Sequence, residues 1–227
     1  GAPVLEKGIC WSQTPDPDLD DSHASVSAGT DTYTCTLTGL SSGSRYYARA
    51  YVKNEVGTGY GEQVVFNTKV TDIEGNMYGT VYIGNQVWMT ENLRTTRLND
   101  DTQIPNIIDN DEWISVSTSA YCWYNNDKTF KPTYGALYNW FTINSGKLCP
   151  AGWHVPSDTE FNSLEIALGM QADQSHVWGW RGTNHGFKMK NNTGWGENGN
   201  GNNSSGFSAI PGGYRFGADG TFVFQTT

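Results

Sequence analysis

Charge is scarce in this 227-residue chain: Asp, Glu, Lys and Arg make up only 16 % of it, and what there is leans acidic, with a formal net charge of -9. Such a surface repels phosphate backbones at long range, so nucleic acid is excluded as a partner. Long apolar runs are missing too, and no stretch approaches the roughly 18 residues of a membrane-spanning helix. The chain opens on Gly1-Ala2-Pro3 without a charged and apolar prefix, and the expectation is that a targeting segment has been removed. Its four cysteines, Cys10, Cys35, Cys122 and Cys149, show no CxxC spacing and no paired histidines, which argues against structural zinc. An even count leaves disulfides and buried free thiols both open. Catalytic signatures are absent as well: there is no GxSxG, HExxH, GxxxxGK or dinucleotide fingerprint. The four histidines are scattered, and His154 reads as a packed, hydrogen-bonded side chain rather than a base. The chain is read as a non-enzyme without a cofactor.

Glycine and aromatic residues are what the chain has in quantity. With 27 Gly, 9 Trp and 12 Tyr, it reads as a β-rich, loop-rich, extracytoplasmic protein. Its length allows two small domains. In residues 1–68, Tyr33, Cys35 and Leu37 alternate, a turn follows at Ser41-Ser42-Gly43-Ser44, and Tyr46, Ala48, Ala50 and Val52 alternate again. Alternation of this kind predicts the short strands of a sandwich. A linker is expected at residues 69–72, and residues 73–227 form the second domain.

That second domain opens on a predicted hairpin, Val81–Ile83 and Gln86–Trp88 around Gly84-Asn85. Short helices are predicted at Asp109–Trp113 and at Thr133–Phe141, the latter with Leu137, Trp140 and Phe141 on one face. The clearest helix follows Pro156, where Ser157 and Glu160 form a capping box, Phe161, Leu164, Ile166 and Leu168 supply an apolar side, and Gly169 ends it. Residues 190–206, dominated by Asn and Gly, predict a surface loop ordered by its neighbours.

Two resemblances rest on these phrases. TLTGLSSGSRYYARAYVKN, with Leu40 six residues before Tyr46, resembles the corner of a fibronectin type III domain, and GICWS and EVGTGYGEQVVFNT resemble its other strands. Nothing before Gly8 supplies the first two strands, so the expectation is a partial sandwich with an exposed edge, or a fragment of a longer protein. The ordered series GNQVWMTENL, AYCWYNND, YGALYNW, LCPAGWHVPSD and GFSAIPGGYR resembles the Fibrobacter succinogenes major paralogous domain over about residues 72–227. That resemblance implies an α+β fold of the C-type-lectin-like or formylglycine-generating-enzyme-like kind, on an exported surface lipoprotein of a Gram-negative bacterium whose native precursor carries a lipid anchor. Members of the family continue past GTF to a terminal strand with a cysteine. The resemblance therefore implies a chain truncated at its C-terminus, with Cys149 left as a free thiol or bonded to Cys122.

A ligand site is sought where ring faces adjoin amides and carboxylates, since sugar recognition uses an apolar platform beside fixed polar groups. Trp123, Tyr124, Asn125, Asn126 and Asp127 meet this description, with Trp195 as a second wall. The competing reading makes Trp123 and Tyr124 core, the Asn-Asn-Asp run a turn and Trp195 a loop anchor. Calcium has a candidate loop in Asp16, Asp18, Asp20 and Asp21, and hard oxygens in Asn125, Asn126 and Asp127, without EF-hand spacing in either place. A solvated acidic turn is the plainer account. The chain is accordingly read as a cell-surface binding or adhesion module for a glycan or a surface protein. Its alternatives are a structural component of surface assemblies and, more distantly, a glycan-active hydrolase.

Overall fold

The computed structural model describes residues 1–27, 32–196 and 198–223, and its contacts separate two compact units, Gly1–Lys69 and Val70–Thr227. The first unit is all-β. Strands β1 (Glu6–Ser12), β2 (Ser22–Ser27), β3 (Arg45–Lys53), β4 (Thr58–Tyr60) and β5 (Val64–Asn67) make one antiparallel sheet in the order β2-β1-β3. The outer edge of β3 is shared by β4 and β5, which pair with its two ends. Trp11 and Tyr46 are buried on this sheet. The Tyr46 hydroxyl accepts the Ser41 backbone N–H at 2.9 Å and the Gln13 amide at 3.1 Å, which closes the corner around Leu40. That backbone hydrogen bond also lowers the tyrosine's pKa.

The expected strand over Tyr33–Leu37 keeps its alternation but lacks a ladder. Tyr33, Cys35 and Leu37 are half-buried and the threonines between them exposed. Tyr33 donates to the Gly8 carbonyl at 2.8 Å, and the Cys35 thiol points to the Ala24 carbonyl at 3.6 Å. No backbone hydrogen bond joins residues 32–40 to a neighbouring strand among the described residues. Among the described residues, side-chain contacts hold the segment over β1 and β2.

The second unit combines small β-sheets with short helices. Its first pair, β6 (Val70–Thr71) and β7 (Met77–Tyr78), turns around Asp72, so residues 70–72 of the expected linker are structured. The Asp72 carboxylate accepts from the Glu74 and Asn76 backbone amides, the Asn76 side chain and the Tyr78 hydroxyl. Burial, then that last bond, raises the Tyr78 pKa. Strands β8 (Thr80–Ile83) and β9 (Gln86–Met89) form the predicted hairpin. The hairpin packs Ile83 and Trp88 on Leu164 and Phe161 of the helix after Pro156, while Ile166 is exposed.

Helix α1 (Asn110–Ser115) is capped by Asp109. Strand β10 (Tyr121–Cys122) then pairs with β11 (Leu137–Tyr138), which corrects the single helix expected over Thr133–Phe141. Helix α2 (Lys131–Tyr134) ends at Gly135, whose φ of 71° leaves the helical region. A Cβ there would lie 2.5 Å from the Leu93 carbonyl oxygen, so only glycine fits. Asn139 then caps a new helix, α3 (Trp140–Asn144). The helices α4 (Asp158–Ala167), α5 (Ala172–Ser175) and α6 (His185–Met189) follow, and the short pair β12 (Tyr214–Arg215) and β13 (Phe222–Val223) completes the described chain. α4 has the expected capping box: Ser157 accepts the Glu160 amide, and Glu160 accepts the Ser157 amide.

Candidate functional site

The structure separates the residues that sequence reasoning grouped as a platform. Trp123, only 3 % exposed, belongs to a core with Leu98, Ile104, Tyr121 and Leu148. Its ring meets Tyr121 edge-on at 5.1 Å and carries the Lys131 ammonium at 5.5 Å. Tyr124 is buried between Phe130 and Phe222. Neither ring offers a face to a sugar. Asn125 and Asn126 have φ of 51° and 56° and form a tight turn. The Asn126 amide donates to the Ile108 carbonyl at 2.8 Å. Asp127 accepts the backbone N–H and hydroxyl of Thr129, which hold its carboxyl below the usual range. Trp195 is half-buried, its indole donating to the Ala209 carbonyl at 3.0 Å and its ring lying 4.4 Å from the Lys190 ammonium. It anchors the Asn/Gly loop.

In the first unit the acidic loop is tied up in turn hydrogen bonds. Asp18 accepts the Asp20 amide, Asp21 accepts the Asp18 amide, and Asp16 lies 3.9 Å from Arg49. Among the described residues, no three His, Cys, Asp or Glu side chains are grouped to hold a metal ion. All four cysteines are free thiols.

The aromatic surface lies elsewhere, in the loop between α5 and α6. Trp178 is 99 % exposed and Trp180 is fully exposed, with Val177 half-exposed beside them. Among the described residues neither indole N–H has a hydrogen-bond partner, whereas the feet of the loop are fixed. Arg181 donates to the Val177 carbonyl at 3.2 Å, closing the loop on itself. The same guanidinium pairs with Glu165 at 2.9 Å and with the Asn162 amide oxygen at 3.2 Å, both on the buried side of α4. Asn162 is in turn within 3.3 Å of the His176 ring. Past the tip, Gly182 has φ of 72°, and a Cβ there would come within 2.5 Å of the buried His185 ring. A rigid base thus carries a two-tryptophan tip. Exposed Asp173, Gln174, Thr183 and Asn184 flank it with hydroxyl, amide and carboxylate groups.

Sequence reasoning passed over this loop because its signal is short. Val177-Trp178-Gly179-Trp180 carries no periodicity, and tryptophan is by default a core residue. The clue was the absence of neighbouring apolar residues to pack against.

A concavity of about 210 Å³ is lined by Thr90, Asn92, Pro132, Thr133 and Ile210 among others. Its one carboxylate, Glu91, is paired with Arg94 at 2.8 Å. It holds no ring on which a sugar could stack.

The family model of the Fibrobacter succinogenes major domain matches residues 81–227. The chain belongs to that family. The match begins inside β8 and takes in the hairpin, the capped α4, the two-tryptophan loop and the closing β12–β13 pair. The matched range therefore contains both the core around Trp123 and the clamp under Trp178 and Trp180. No curated protein and no solved structure matches the chain. No helix among the described residues is long and apolar enough to cross a membrane.

Proposed function

We propose that the chain is an exported surface module whose second unit binds neutral glycans by stacking sugar faces on Trp178 and Trp180. One observation carries this reading: two indole rings exposed on a loop whose base is clamped by a largely buried ion pair. A tryptophan buries about 150–250 Å² when fully packed and a sugar covers one face of its ring, so each stack returns roughly 2–3 kcal/mol at ~25 cal/mol per Å² before binding costs are subtracted. A clamped base lowers the entropy lost on binding. The flanking amides and hydroxyls supply the polar partners that sugar hydroxyls need, and the net charge of -9 favours a neutral glycan over an anionic one.

In this reading the fibronectin-like first unit is a spacer or presenting module. A C-type-lectin-like scaffold would explain the exposed loops, and no enzyme chemistry is carried over with it. A glycan array run with the intact chain and with Trp178→Ala tests the proposal. The expected result is binding to one or a few neutral glycans that falls at least tenfold in the variant. An array on which the intact chain binds nothing, or on which the variant binds equally well, would contradict it.

A further inference from the structure

The Asn- and Gly-rich loop supplies one wall of the concavity of about 210 Å³ in the second unit. Residues 90–92 leaving β9, Pro132 and Thr133 of α2, and Asn191, Ser208 and Ile210 close on it. The Asn92 amide donates to the Tyr134 carbonyl at 3.0 Å, which ties two of these walls together. Asn191 is fixed at its backbone, its N–H donating to the Ala209 carbonyl at 2.8 Å and its carbonyl accepting the Gly201 amide at 2.9 Å. Its side-chain oxygen accepts the Asn192 N–H at 2.7 Å, which leaves the side-chain nitrogen as a donor. Ser208 has φ of 61°, a left-handed conformation that glycine would take without strain. Asn203 holds it there at two points: its oxygen accepts the Ser208 N–H at 2.8 Å, and its amide donates to the Ser208 hydroxyl at 2.9 Å. Backbone strain over-determined in this way collects where a chain positions a ligand.

We propose that this concavity binds the acetamido group of an N-acetylated sugar. Among the described residues, the Thr90 and Thr133 hydroxyls and the Asn191 side-chain nitrogen have no hydrogen-bond partner. The Ser208 hydroxyl has only a long contact, 3.4 Å to the Gly206 carbonyl, to which it donates. Such a set of donors calls for a ligand rich in oxygen acceptors. Pro132 and Ile210 add apolar wall against which a methyl group packs. Among the described residues no cation lines the site, and Glu91 is already paired with Arg94, so the ligand is neutral. The volume lies below the ~300–1,000 Å³ of pockets for drug-sized ligands, enough for one substituent and the ring that bears it. An acetamide carbonyl takes the Asn191 donor, and the sugar hydroxyls beside it take up the hydroxyls that remain. An acetylated lysine would leave those hydroxyls unpaired, because its stem is methylene alone. No lining residue belongs to the tryptophan tip, so the site stands whether or not the tip binds.

Saturation-transfer NMR on the full chain carrying Trp178→Ala/Trp180→Ala tests it, because stacking at the tip then contributes nothing. The probes are the methyl glycosides of N-acetylglucosamine and of glucose, and Nε-acetyl-lysine methylamide, each at millimolar concentration. The N-acetylglucosamine glycoside is expected to bind saturably with its acetyl methyl receiving the strongest signal, and the glucoside to bind about tenfold more weakly. Asn191→Asp keeps the bond to Asn192 and replaces the donor, while Thr133→Val removes an exposed hydroxyl at nearly constant shape. Binding is expected to fall about tenfold in the first and a few fold in the second, at an unchanged melt. Should Asn191→Asp lower the melt, Thr133→Val alone decides. No signal on the acetyl methyl, equal binding of the glucoside, or a folded variant that binds like its parent would overturn the site. Acetyl-lysine binding as well as the sugar would overturn the sugar as its ligand.

Discussion

Arg215 is buried, and no carboxylate pairs with it among the described residues. Its guanidinium donates to the carbonyls of Ile107, Ile108, Asp109 and Gly220 and to the Asn110 side chain, and it lies 4.6 Å from the Trp113 ring. One side chain thus fastens the turn before α1 to β12. Arg215→Ala is expected to cost at least about 3 kcal/mol, since it removes the packing and leaves several buried carbonyls unpaired. Lysine cannot reproduce the planar fan of donors, so urea midpoints should fall for Arg215→Lys as well, by less. Trp123→Ala should cost about 3–5 kcal/mol as a core truncation, with a lowered melt as its readout. Burial pushes the Cys149 thiol up to about 11. Iodoacetamide at pH 8 should therefore modify Cys149 much more slowly than an unperturbed thiol, and equal rates would show that its burial is incomplete.

Among the elements, α4 was the most legible, because its start signal is local. The Ser157 and Glu160 pair needs only four residues to work, and Ser157→Ala should cost about 1 kcal/mol. Hydrogen bonds from the Ser157 backbone and side chain, then from His154, lower the Glu160 pKa from 4.5 to about 2. A depressed carboxylate stabilises the fold above its unfolded pKa and loses that contribution as the pH falls through the folded value. The stability gap between wild type and Glu160→Gln is thus expected to be full at pH 6 and to close between about pH 4.5 and 2. A gap that does not change over that range would refute the capping role. Less local features misled. Thr133–Phe141 has helical spacing, but the close approach of the Leu93 carbonyl at Gly135 breaks it into helix, strand and helix. Tyr33–Leu37 alternates like a strand, yet a ladder needs a neighbour that spacing alone does not supply.

At the scale of the whole molecule, the family resemblance was legible from several phrases in order, and the matched region agrees with it. The candidate site was not. The Trp123 cluster and the Trp178 loop offer the same residue types to a reader of sequence, and they differ only in burial, which is decided by long-range packing. Arg181 links the loop to α4 through Glu165, a residue 16 positions away. Arg181→Ala leaves that buried carboxylate unpaired and should cost about 3 kcal/mol while loosening the tip, so glycan affinity and melting temperature should fall together. Titration calorimetry of the best array glycan against Trp178→Ala/Trp180→Ala, with exposed Trp140→Ala as the control and thermal melts alongside, tests the central claim most directly. The account predicts that the double variant loses measurable binding at an unchanged melt while Trp140→Ala binds like wild type. Full affinity in the double variant would contradict it.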